Sequence, residues 1–505
     1  MTRSPLQTLS THGAVSFLIQ YRFMWLSLVV GAITYVFHSE LLNRLFPSGY
    51  AIELLDADSL GYLEFSRIRT AGYPVFLWVI QSLFGTYEAA PAVQSAIFAL
   101  SVGFLATQVS RLFRSSLAAT IVMGCLLLNP DIMKYHFKIL TESLSLALLC
   151  LYFAFIARYL LTRRARNIAF AGLISGAAVL VRPINYTWAA GMLLLIFIAW
   201  RYDKRSISKA ALVGMLPYGA VIALGALAFF VKHGEFKTQS FLGFNLHGKA
   251  LFYVDSSVPT RAPNYMAYMA REITPIREAV LTCSTLQCRY SLSARVYDHI
   301  RWARSIVNNP AYRAALDADF GSGYVVNDDF YMARALEVIR AKPRPFLEDF
   351  ALHAYSLWVV LQIKTPHERD VLADVVRRYR DVFADKGEIL NHTHASRVLP
   401  APVVYLIRAG LIGLFVASLF AMCAGLFERR DASSGWRNCV RFLAIAGVVI
   451  HAGYLGTALI QAGFPRYALD FSVCLYIYAA AIASSLWRST AAVRWALGRA
   501  PVAAP

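Results

Sequence analysis

The sequence has few charged residues for its length: only 16% of its 505 residues are Asp, Glu, Lys or Arg, whereas 58% are hydrophobic. It also lacks an internal repeat of about 20–50 residues and a Gly/Ser-rich linker that would divide it. This composition excludes a wholly soluble enzyme, a secreted disulfide scaffold and a disordered chain. Its apolar runs are too long for a porin-type barrel, whose strands alternate over about ten residues.

Apolar stretches long enough to cross a hydrocarbon layer of about 30 Å recur about ten times along the chain. Lys and Arg cluster in the short connections, and such loops are retained in the cytoplasm. The two patterns predict an all-α polytopic membrane protein with both termini in the cytoplasm. The predicted spans are residues 22–39, 90–112, 116–131, 141–161, 167–182, 185–201, 208–231, 402–426, 438–460 and 467–487.

The 49 Lys and Arg residues exceed the 30 Asp and Glu residues and give a formal net charge of +19. In a soluble protein this excess would favour a nucleic acid as partner. Here the basic cytoplasmic loops explain much of it, so we expect membrane lipids as partners and no nucleic acid. The first apolar run starts near Phe23 after a polar stretch, without a small-residue cleavage site after it, and is expected to be a signal anchor.

Two polar segments remain outside the membrane in this topology. The first, residues 40–89, contains an apolar run that ends at Phe84; it is too short to cross and is expected to lie in the interface. The second, residues 232–401, is long enough for a small domain or lid. We therefore divide the chain into a membrane module at 1–231, this outer segment, and C-terminal membrane helices at 402–505.

The outer segment leaves two questions open at the level of sequence. Its residues Asp329–Ile339 have a helical pattern, and residues 345–363 form an amphipathic stretch that either crosses the membrane or lies on it. Cys283 and Cys288 form a local disulfide if the segment faces an oxidising compartment, but spacing alone does not establish the pairing.

Ionisable residues avoid the middle of the predicted spans and gather near their outer ends. Such residues are costly within a bilayer and usually functional. A transporter is expected to show interrupted helices and polar groups at the midplane, so this distribution favours a reaction at the outer rim. The residues are Asp56, Asp58, Glu64, Asp131, Lys134, His136, Lys138, Glu142, Arg182 and Arg466.

Short motifs at this outer rim carry a resemblance to a known family. They are Asp58-Ser59 with Tyr62, Arg69 before Gly72-Tyr73-Pro74, Asn129-Pro130 before Thr141-Glu142-Ser143, Gly172 and Gly176 before Arg182-Pro183, Gly243-Phe244-Asn245-Leu246, and Pro465-Arg466-Tyr467. In their order the chain resembles the polyprenyl-phosphate-sugar-dependent glycosyltransferases of the GT-C superfamily, of the protein-mannosyltransferase and aminoarabinose-transferase type (glycosyltransferase family 39). The resemblance implies a bundle of about ten transmembrane helices, with interfacial helices in the first outer loop and an extracytoplasmic insertion.

The resemblance also implies a reaction. An acceptor hydroxyl attacks the anomeric carbon of a sugar on a lipid phosphate, with inversion, at the extracytoplasmic surface of a bacterial inner membrane. The implied partners are a polyprenyl-phosphate sugar donor and a cell-envelope glycan or glycolipid acceptor. No metal or other cofactor is expected, because cationic side chains can neutralise the phosphate. The first loop reads Asp-Ala-Asp-Ser and Gly-Tyr-Pro rather than the paired acidic or Lys-Pro-Pro elements of relatives, so the acceptor is not carried over.

Two other classes of function remain as alternatives. A lipid-linked-sugar flippase or other transporter would alternate between an inward-facing and an outward-facing cavity. A scaffold without activity would hold Asp58, Arg182 and Arg466 too far apart to share one substrate.

Asp58 is the predicted general base, because it matches the acidic position of the family's first loop and an ionised carboxylate can accept a hydroxyl proton. Asp56 is the close alternative. The competing interpretation is that either residue only caps a helix that begins near Leu60.

The leaving phosphate is predicted to bind Arg182 and Arg466, with Lys138 and His136 in support, since Arg binds phosphate bidentately. These side chains could instead reach for lipid headgroups. Each of the remaining predicted substrate contacts could instead have a structural role: an acid can complement a helix dipole, and tyrosines can belong to an interfacial belt. They are Tyr62, Glu142, Tyr467 and Asn245.

Overall fold

The computed structural model describes residues 21–37, 54–56, 58–203, 206–302, 309–361, 363–384, 398–426, 434–460 and 468–496. Within these ranges the regular elements are helices, and the one isolated β-bridge joins Lys364 and Val398. The prediction of an all-helical protein is therefore confirmed for the described part of the chain.

The N-terminal half, as far as it is described, forms a series of apolar helices joined by short connections. They are α1 (Arg22–Val36), α2 (Ser59–Leu63), α3 (Gly72–Phe84), α4 (Ala90–Phe113), α5 (Ser116–Leu127), α6 (Pro130–His136), α7 (Glu142–Thr162), α8 (Ala165–Val181), α9 (Trp188–Asp203) and α10 (Ile207–His233). Short 3₁₀ helices precede α4 (Tyr87–Ala89) and α9 (Pro183–Thr187).

The following segment is also helical, and the chain then returns to long apolar helices. Its described helices are α11 (Leu242–Ala250), α12 (Pro263–Leu281), α13 (Leu286–Trp302), α14 (Pro310–Phe320), α15 (Asp328–Ala341), α16 (Pro343–Val359), α17 (Pro366–Arg378) and α18 (Arg380–Ala384). The C-terminal helices are α19 (Ala401–Leu426), α20 (Ser434–Ile460) and α21 (Ser472–Ala496).

Six of the described helices are long and apolar enough to cross a membrane, or seven if α5 and α6, which meet at an angle of 56°, form one broken span. This supports an integral, polytopic membrane protein. Three or four of the ten predicted spans are missing from this set: α1 and α8 have only 15 and 17 described residues, α21 is not among the qualifying helices, and α5 counts only together with α6. The span predicted at 116–131 is broken before Pro130, which cannot continue α5, and α21 begins at Ser472, within the span predicted at 467–487.

Small residues bring the membrane helices into close contact. A Cβ on Gly172 of α8 would lie 2.0 Å from the carbonyl oxygen of Gly214 on α10, and a Cβ on Gly176 would lie 2.8 Å from that of Tyr218. Helices in a membrane associate through packing rather than through exclusion of water, so such glycines let the backbones approach. The α8–α10 pair forms one wall of the bundle.

Helix α3 is confirmed at the apolar run of the first outer segment, and it has two different faces. Tyr73, Leu77 and Ile80 are buried against the protein, whereas Trp78 and Leu83 are 67% and 72% exposed. An exposed apolar face on a short helix is typical of a helix that rests in the membrane interface.

The outer segment packs onto the end of the helical bundle. The pattern at Asp329–Ile339 is confirmed as part of α15, and residues 345–359 of the amphipathic stretch belong to α16. Helix α16 lies against α19 and α20, where the Trp358 ring is 5.0 Å from the rings of both Phe415 and His451. Cys283 and Cys288 are joined by a disulfide between the end of α12 and the start of α13.

A buried ion pair ties this segment to α20. Lys249 of α11 donates a hydrogen bond to the Ala458 carbonyl and lies 3.2 Å from Asp349 of α16, and both side chains are at most 2% exposed. Asp349 also accepts a hydrogen bond from Tyr297 and lies 3.4 Å from His353. Burial alone would raise the pKa of Asp349, but these positive and donor groups hold it below its ordinary value.

Candidate active site

A cavity of about 280 Å³ opens at the end of the bundle where α8 and α20 end and the Pro183–Thr187 turn begins. We call it the first cavity. Its polar wall residues include Asp58, Tyr62, Arg69, Arg182 and Asn245. Four of these were predicted as site residues from sequence, and Arg69 appeared only as part of a motif. The structure therefore brings together residues that are up to 187 positions apart, from 58 to 245.

Asp58 does not act as a helix cap. It stands directly before α2, but its own backbone is helical (φ −81°, ψ −20°) and its side chain makes no capping hydrogen bond. The carboxylate instead pairs with the Arg69 guanidinium, with 2.5 Å between Oδ1 and Nη2. The capping interpretation of Asp58 is therefore wrong.

Arg69 organises this side of the cavity. Its Nη1 donates a hydrogen bond to the Tyr62 hydroxyl at 3.2 Å, and its guanidinium carbon lies 4.4 Å from the centre of the Tyr62 ring. Attraction between a cation and the ring face adds to the hydrogen bond. One guanidinium thus fixes both an acid and a phenol at the wall of the cavity.

Arg182 also lines the first cavity, in a largely buried position. Its side chain is 8% exposed, and Nη1 lies 3.1 Å from Asp470 and 3.2 Å from Glu142, both of which are fully buried. Pro183 disfavours a helical conformation at the residue before it, so α8 ends at Val181 and Arg182 is extended (φ −144°, ψ 124°). Three distant segments of the chain thus meet at one guanidinium.

The two carboxylates that pair with Arg182 were not predicted in this role from the sequence. Glu142 was predicted to touch substrate, but its side chain lies on Arg182 and does not line the cavity. Asp470 was not predicted at all. Its signal in the sequence is an ionisable residue inside a predicted span, at residues 467–487, where a charge is costly unless it is paired.

The other predicted residues lie elsewhere or outside the described chain. Asp56 pairs with Lys138 at 2.8 Å, and neither lines the first cavity. His136 is buried, forms a 2.7 Å hydrogen bond with Ser143, and also lies away from that wall. Arg466 and Tyr467 fall outside the described residues.

The wall of the first cavity can perform acid–base and anion-binding chemistry. A carboxylate can take a proton, and guanidinium groups bind phosphate oxygens through charge-assisted hydrogen bonds. No group of three or more His, Cys, Asp or Glu residues in the described ranges could hold a metal ion. The apolar part of the wall includes Ile184, Leu242 and Ile460.

Comparison with known proteins adds no relative: no family model, no curated protein and no solved structure matches this chain. The features that bear on function are therefore the short motifs and the cavity that collects Asp58, Tyr62, Arg69, Arg182 and Asn245.

Proposed function

We propose that this protein is a membrane glycosyltransferase that moves one sugar from a polyprenyl-phosphate-linked donor to a hydroxyl of an extracytoplasmic cell-envelope glycan or glycolipid. The observation that carries the proposal is the first cavity, in which Asp58, Arg69 and Arg182 line one space at the end of the helical bundle. A carboxylate beside guanidinium groups is the combination that acceptor activation and phosphate departure both need.

The proposed reaction is a single displacement. The acceptor oxygen forms a bond to the anomeric carbon as the bond from that carbon to the lipid phosphate oxygen breaks, so the configuration inverts. The hydroxyl proton passes to the Asp58 carboxylate, and the lipid phosphate leaves with the electron pair of the broken bond. A carboxylate can accept several hydrogen bonds at once, so the ion pair with Arg69 is compatible with this role and orients the acid.

Phosphate binding needs more positive charge than Arg182 alone supplies. Its guanidinium stands between Glu142 and Asp470, so the three groups together carry a net negative charge. Arg466 supplies additional positive charge in our proposal, and so does Arg69 once the Asp58 carboxylate with which it is paired has taken the hydroxyl proton. Opposite charges a few ångströms apart in a partly buried site attract by several kcal/mol, about 4 kcal/mol at 4 Å with an effective dielectric of 20.

The rest of the donor is an isoprenoid chain, which needs an apolar path from the bilayer. Ile184, Leu242 and Ile460 give the first cavity such a lining, next to helices that are long and apolar enough to cross a membrane. We place the protein in a bacterial inner membrane with this cavity facing the periplasm. The Cys283–Cys288 disulfide supports that orientation, because such bonds persist in oxidising compartments.

The test compares transfer by variants in membranes that contain equal amounts of protein. We expect Asp58→Asn to lower transfer by about 10²–10⁴-fold, the contribution of one general base. Asp56→Asn is the matched control, since Asp56 pairs with Lys138 away from the cavity. Mass spectrometry of the envelope glycans with and without the protein identifies the product.

Near-normal transfer by Asp58→Asn would refute the assignment of the base. Arg466→Ala with unchanged affinity for lipid-linked sugar would return that residue to a headgroup role. If vesicles containing the Asp58→Asn variant still moved lipid-linked sugar across the bilayer without forming a glycan, the flippase alternative would replace the transferase.

A further inference from the structure

A second, larger cavity of about 610 Å³ adjoins the first cavity. It is formed by residues 235–244, by residues 325–331 before and within α15, and by Arg67 from the first outer segment. Ile68 and Phe241 contribute to the walls of both cavities. The volume lies within the range of about 300–1,000 Å³ that is usual for sites of small ligands.

Aromatic rings form one side of this second cavity. The rings of Phe241 and Phe244 are stacked with 5.3 Å between their centres, and the edge of one ring in the Phe244–Tyr331 pair meets the face of the other at 5.2 Å. Rings of this kind offer a flat apolar surface, and tyrosine adds a hydroxyl at its rim. A sugar has matching features, namely an apolar face of C–H groups and hydroxyls around its edge.

Charged groups of both signs surround the rings. Glu235 lies 3.2 Å from Arg67 and 3.4 Å from Lys237, and Lys237 lies 3.5 Å from Asp329. With Asp328, the wall carries three carboxylates and two cations. Such a set donates and accepts hydrogen bonds to hydroxyls, while its excess of one negative charge disfavours an anionic ligand.

Three contacts between its segments fix the shape of this cavity. A Cβ on Gly243 would lie 2.1 Å from the carbonyl oxygen of Asp328, so only glycine allows α11 and α15 to approach this closely. The Asp328 carboxylate accepts a 2.9 Å hydrogen bond from the backbone N–H of Phe244, and the Ser240 N–H donates to the Arg67 carbonyl. A preformed site binds without first ordering its own loops.

We infer that the second cavity binds the acceptor, and that this acceptor presents an uncharged sugar to it. The inference rests on the proposed function, because only a transferase has an acceptor. It goes further by naming the substrate class: a neutral carbohydrate rather than a phosphorylated or uronic one. In this inference the acceptor hydroxyl extends from the second cavity to Asp58 past Ile68 and Phe241, which line both cavities.

The experiment measures glycoside binding separately from transfer. Saturation-transfer NMR on the full chain in nanodiscs uses methyl β-glucopyranoside and methyl β-galactopyranoside as neutral probes and methyl β-glucuronide as the anionic probe. We expect at least one neutral probe to bind more tightly than the glucuronide. Tyr331→Ala should weaken binding about two- to tenfold, the loss of one aromatic contact. Asp329→Asn changes the wall of the same cavity at a side chain that is 77% exposed, so it should leave the packing of the core unchanged.

The matched control is Tyr355→Ala, a half-exposed tyrosine on α16 that lines neither cavity, and it should bind like the wild type. Three results would overturn the inference: no binding of either neutral probe, tighter binding of the glucuronide, or unchanged binding in both Tyr331→Ala and Asp329→Asn. Asp58→Asn should keep glycoside binding while it loses transfer. Binding by a wild type that transfers no sugar would refute the proposed function alone, and leave a carbohydrate site of another purpose.

Discussion

Replacement of Lys249 by Met should loosen the outer segment from the bundle. Lys249 links α11 to the Ala458 carbonyl of α20 and to Asp349 of α16, and it is fully buried. Met has a similar length but carries no charge and donates no hydrogen bond, so Lys249→Met leaves the Asp349 carboxylate buried without its ammonium partner. Removal of one member of a buried pair typically costs about 3–5 kcal/mol.

The expected magnitude can be measured as local opening of α16. A loss of about 3 kcal/mol raises the population of the open state by more than a hundredfold, at 1.36 kcal/mol for each factor of ten. Hydrogen exchange with mass spectrometry on the protein in nanodiscs should therefore show α16 exchanging faster by about this factor. The double variant with Asp349→Asn should recover part of the loss, because asparagine keeps an acceptor for Tyr297 and removes the uncompensated charge.

Lys209→Met is the matched control, because Lys209 is exposed at the start of α10. Its exchange in α16 should equal that of the wild type. If Lys249→Met also left the protection of α16 unchanged, the ion pair would not be what holds the outer segment, and the role assigned to it here would be incorrect.

Two further predictions concern the same region. Gly243→Ala places a methyl group against the Asp328 carbonyl and should lower the free energy of unfolding by about 1–3 kcal/mol. Gly219→Ala on α10 is the control, because an added Cβ would meet no neighbouring atom within 4 Å there. Equal melting temperatures of the two variants would contradict the close contact at Gly243. Because nearby groups lower the pKa of Asp349 in the folded state, its contribution to stability is present above its unfolded pKa, about 3.9, and is lost as the pH falls further. The melting temperature should therefore fall less steeply below about pH 4 in Asp349→Asn than in the wild type, and parallel curves would contradict this.

The sequence predicted the helices well because their signal is local. Apolar length identifies a membrane helix without knowledge of its neighbours, and a described helix overlaps each of the ten predicted spans, although only six or seven of them qualify as spans. The number of spans was less predictable, since it depends on breaks such as Asn129-Pro130 and on ends such as Arg182-Pro183 that leave α8 with only 17 residues.

The candidate site was predictable only in part, because its contacts join distant segments. Asp58 and Arg182 could be chosen by motif, but the partner of each is set by the fold: Arg69 is 11 residues from Asp58, and Asp470 is 288 residues from Arg182. Lys138 looked equally suitable by charge and position, yet it pairs with Asp56 instead. Residue type and membrane depth do not determine which of several nearby opposite charges will meet.

Helix α3 joins the wall of the first cavity to the exposed apolar surface of the protein. It begins at Gly72, whose added Cβ would lie 2.6 Å from the Leu180 carbonyl, and the Thr70 hydroxyl donates to the Val181 carbonyl. Arg69 and Arg182 therefore flank one junction, where α3 meets the end of α8, while the exposed apolar side chains of α3 face away from the protein. The separation of the two guanidinium groups is therefore set by the packing of Thr70 and Gly72 on the last turn of α8, so a larger residue in place of Gly72 would change the geometry of the site and not only the position of α3.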